Sequence, residues 1–160
     1  MNFLQKIYKK SKEQKGFTLV EMIVVLVIIA ILAAITIPAL LKYIDKAREK
    51  QIVIDARTAY LAAETTLSEA YAQNKLPKSG SIIFGTDSVS DASEANDKDF
   101  QKNAKELTGI NKPYKCKVSF DSDRKSMTTI QFQEGDTIAT MNVGSDSSWD
   151  LVPTSGSGIS

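Results

Sequence analysis

The chain has 160 residues, 42% of them hydrophobic, and a formal net charge of +1, enough for one modest domain and too short for two comfortable ones. It has no histidine and a single cysteine, Cys116, which excludes His-based triads and proton shuttles, an internal disulfide and a Cys-rich zinc site. The apolar residues are unevenly spread: 21 of the 25 from Phe17 to Leu41 are apolar, against about a third elsewhere.

Residues 1–16 carry five lysines (Lys6, Lys9, Lys10, Lys12, Lys15) against Glu13. A charge-free run from Met22 to Leu41 follows, and as a helix it spans about 30 Å, the hydrocarbon thickness of a bilayer. Lysines ahead of such a run favour a cytoplasmic N-terminus; the net +2 of Lys42–Lys50 weakens the bias without reversing it. An ordinary secretory signal would be cut at a small-x-small site. The nearest candidate, Ala34-Ile35-Thr36, places Pro38 second in the product and is poor. A lipoprotein signal needs a cysteine after the run, and none stands there. A plain signal anchor remains open.

The decisive stretch is Lys15-Gly16-Phe17-Thr18-Leu19-Val20-Glu21. A basic leader ending in Gly, then Phe-Thr-Leu-x-Glu opening an apolar helix, resembles the type IV pilin family, over about residues 10–60. The resemblance implies cleavage between Gly16 and Phe17 by a prepilin peptidase, which also methylates the new amine of Phe17. A mature chain of 144 residues with net charge −3 would remain. It implies a role in assembly for Glu21, whose carboxylate would meet the Phe17 amine of a neighbouring subunit; buried in a filament core, an unpaired charge is expensive, so the pair would set register. It also implies a helix kink at Pro38, where the lost backbone hydrogen bond weakens the helix.

Downstream, Ile52, Ala56, Ala59, Tyr60, Ala63, Leu67, Ala70 and Tyr71 recur on one helical face, with Asp55, Arg57, Glu64 and Glu69 off it. The first stop is Asn74-Lys75-Leu76-Pro77, so the helix from Phe17 to about Asn74 divides into a membrane or filament-core half, 17–41, and an amphipathic half, 42–74. A head domain follows over 75–152. It opens with a Ser-, Gly- and Asp-rich loop over 78–97 holding the patch Ile82-Ile83-Phe84. Phe100, Ala104 and Leu107 then repeat at helical spacing, with Asp97 or Asp99 near the start and Gly109 as stop. Period-two alternation appears in Tyr114-Cys116-Val118-Phe120, in Thr128-Ile130-Phe132 and in Ala139-Met141-Val143, separated by turn-rich breaks. The expected fold class is α+β, a long N-terminal helix packed on a three-stranded antiparallel meander, with a mobile tail over 153–160. Cys116 reads as a buried small hydrophobe; pilins without a C-terminal disulfide are common in Gram-positive bacteria, which points to such a host.

Rival chemistry is thin. Ser122-x-x-Lys125 and Lys78-Ser79-Gly80 match pieces of penicillin-recognising enzymes in the wrong order, without Ser-Asp-Asn. Asp121 and Asp123 match two positions of a calcium loop, but Lys125 and Ser126 break the pattern. The acids Asp91, Glu94, Asp97 and Asp99 read as a solvated loop and helix cap. No catalytic residue, metal or cofactor is expected. The basic cluster Lys42–Lys50 suits anionic lipid headgroups better than nucleic acid. The sequence thus reads as a single-pass membrane precursor, N-terminus cytoplasmic and head outside, that becomes a surface pilus. Its expected partners are copies of itself, the prepilin peptidase, an assembly platform with its ATPase, and membrane lipids. Adhesion, surface motility or biofilm formation would follow; a type II secretion pseudopilin and a monomeric signal-anchored binding domain are the alternatives.

Overall fold

A computed structural model describes residues 16–87, 92–144, 148–154 and 158–159. The leader residues 1–15, Asp91, and residues 155–157 and 160 of the expected tail lie outside the described residues. The chain divides into two compact units, Met1–Asp45 and Lys46–Ser160. Helix α1, Leu19–Ala72, begins in the first and ends in the second.

In the first unit α1 is apolar and none of its described side chains is buried. It is long and apolar enough to cross a membrane. Helical assignment continues across Pro38, and two residues earlier the Thr36 hydroxyl donates to the Leu32 carbonyl at 2.9 Å.

In the second unit α1 buries Ile52, Ala56, Ala59, Ala62, Ala63, Thr66 and Leu67. Three alanines, Ala56, Ala59 and Ala63, are wholly enclosed in the core cluster. Overpacking this seam, as with Ala59→Leu, costs about 1–3 kcal/mol. Two sequence expectations are corrected here. Tyr71 is exposed, because the helix has nearly run past the core by its last turn. Asp55, placed off the apolar face, is buried, because Lys112 supplies a counter-charge that the helix pattern alone cannot reveal. The helix ends where its stop signal stands. Asn74 adopts φ 58°, its amide donates to Tyr71 O, and the Lys75 amide donates to Ala70 O, the two bonds of a Schellman closure.

The sheet is antiparallel with strands in sequence order, β1 Ser81–Gly85, β2 Lys115–Phe120, β3 Met127–Glu134, β4 Thr137–Asn142 and β5 Asp150–Pro153. The meander forms its centre, and one short strand extends each edge. The Ile82-Ile83-Phe84 patch is β1, pairing Ile82 with Val118 and Phe84 with Cys116. At its end Gly85 has φ 153°, and an added Cβ would sit 2.2 Å from the Tyr114 carbonyl oxygen, so glycine is required. A bulge where Ser119/Phe120 meet β3 places Met127 in the core and leaves the expected Thr128 exposed.

The inner face packs Phe84, Cys116, Val118, Ile130, Phe132, Ala139 and Met141 against α1. Tyr114 stacks on Phe132 at 5.3 Å, and Phe120 meets Phe100 edge-on at 5.4 Å. Phe100 belongs to helix α2, Ala95–Thr108, which Gly109 closes at φ 61°. Leu107, expected inward, is exposed; Thr108 takes the buried place and bonds the Tyr114 hydroxyl. Near the chain's end two hydrogen bonds are described. Thr154 donates its amide to Asp136 O, and buried Ile159 donates its own to the Gln133 side chain at 2.8 Å.

Candidate processing and assembly site

Gly16 and Phe17 lie just ahead of α1. A Cβ built on Gly16 meets nothing within 4 Å, so among the described residues no packing requires glycine there. Phe17 is 77% exposed and is followed by the helix start. Thr18 and Glu21 form a capping box, which the spacing Thr18-x-x-Glu21 signals in the sequence. The Glu21 carboxylate accepts from both the amide and the hydroxyl of Thr18 at 2.9 Å. The Glu21 amide returns a bond to the Thr18 hydroxyl at 3.2 Å. Two of the helix's orphan donors are thereby satisfied reciprocally. Glu21 is thus fixed one turn from the junction Gly16-Phe17, and the apolar side chains of the first unit beyond it have no cover.

The head gathers its polar groups elsewhere. Lys112 bridges Asp55 and Glu134, both mostly buried. Burial pulls the Lys112 ammonium down, but hydrogen bonds and charge from Asp55 and Glu134 outweigh it and hold it above its ordinary value. Asp97, read as a solvated cap, is fully buried. Its carboxylate turns back to the loop after α1, accepting from the Lys78 amide at 2.6 Å and from the Ser79 amide and hydroxyl. Asp97 is buried at no loss of solvation because two amides and a hydroxyl replace the water a surface acid would keep. The Lys78-Ser79-Gly80 match is this loop anchor, and Lys78 itself pairs with Glu94.

The Ser122-x-x-Lys125 match is a turn held by Asp121, which accepts from Lys125 N and from Ser126; that hydrogen bonding lowers the Asp121 carboxyl. Burial pushes the Cys116 thiol well up, the state of an inert core thiol. Among the described residues no group of three His, Cys, Asp or Glu side chains could hold a metal ion.

Comparison with known proteins finds relatives for part of the chain. A family model described as the prokaryotic N-terminal methylation motif matches residues 11–37. The chain is similar to fimbrial proteins. Fimbrial protein Q of Moraxella bovis is 39% identical over 74 residues, 46% of this chain and 45% of that protein. The type IV major fimbrial protein FimA of Dichelobacter nodosus is 35% identical over 88 residues, 49% and 55% of the two chains. A fimbrial protein of Pseudomonas aeruginosa is 41% identical over 58 residues, 36% and 38%. The chain spans about half or less of the length of those relatives. No solved structure matches significantly.

Proposed function

We propose that the chain is the precursor of a structural subunit of a type IV pilus, and that it catalyses no reaction. Cleavage between Gly16 and Phe17 releases the leader, and Phe17 receives a methyl group on its new amine. The first unit of α1 waits in the cytoplasmic membrane and then exchanges lipid for identical helices in the filament core. Lipid already satisfies apolar surface, so association there depends on helix packing and on Glu21, with Pro38 as the point where the helix yields. The sheet-bearing head forms the filament surface, where adhesion, surface motility or biofilm formation arises. A peptidase, an assembly platform and an ATPase are the partners this route requires.

The observation that carries this reading is a glycine that no packing among the described residues requires, set directly before a capped, exposed apolar helix. The test is shearing of cells that express the chain. Filaments containing it are expected in the sheared fraction, and a chain found only in the membrane as a monomer in filament-competent cells would contradict the reading.

A further inference from the structure

We draw no further inference here: the strongest candidate, the groove beside α1 walled by Arg57, Tyr60, Leu61, Met141 and Trp149, carries nothing because nothing in the structure shows what covers it.

Discussion

The Glu21 carboxylate accepts both hydrogens that Thr18 offers, amide and hydroxyl, at 2.9 Å. The group whose charge would pair subunits is therefore also the group that starts the helix in each one. The two roles need different chemistry, since capping requires an acceptor and register requires a charge.

Substitutions separate them. Glu21→Gln keeps an acceptor that can close the capping box but removes the charge, and it should abolish filaments while leaving the subunit helical in the membrane. Thr18→Val removes the cap, at about 1 kcal/mol, and should fray the first turn while filaments still form. Filament counts after shearing, with amide exchange of the first turn in micelles, read both. Filaments of normal number from Glu21→Gln would reject a charge-based register.

Gly16 offers a cleaner separation, because an added Cβ would touch nothing among the described residues. Gly16→Leu is expected to leave the head's melting temperature unchanged while the uncut precursor accumulates in the membrane. Normal trimming of that variant would place the cut elsewhere.

Asp97 should govern the stability of the head. Asp97→Ala strands two amides and the Ser79 hydroxyl away from their acceptor, a loss of about 3–5 kcal/mol. Ser79→Ala removes one hydroxyl donor and should cost about 1 kcal/mol. Urea unfolding of the full chain in detergent checks the ranking, and equal losses would mean that the carboxylate is not the anchor.

Lys112 sets an alkaline limit. Its folded-state pKa is raised, so its contribution is complete below the unfolded value and disappears as pH climbs through the folded one. Tyr60 and Tyr114 are also raised, chiefly by burial, and they act in the same direction. Melting temperature should therefore fall above about pH 10, less steeply in Lys112→Met, which lacks one of the three groups. An identical slope in that variant would remove Lys112 from the cause.

Much of this was legible in local pattern. The helix stop at Asn74, the Gly109 closure and the inward phase of Cys116, Val118, Ile130 and Phe132 all follow from spacing and backbone preference. What was not legible depends on partners distant in sequence. Asp55 is buried because Lys112 reaches it across the fold, and Asp97 because Ser79 turns toward it. The strand Ser81–Gly85 is five residues long and exists because β2 has a free edge to pair with. Met127 replaced Thr128 inside because a bulge shifted the register by one residue, which period-two reading cannot foresee. At the proposed processing site the residues stand plainly in the sequence, while the Thr18–Glu21 reciprocity is a matter of side-chain geometry.

The most direct measurement is the N-terminal sequence and intact mass of the protein recovered from sheared surface material. The account predicts a chain that begins at Phe17 and is heavier than the unmodified product by one methyl group. A chain beginning at Met1, or one cut near Ile37 in the manner of an ordinary secretory signal, would contradict it.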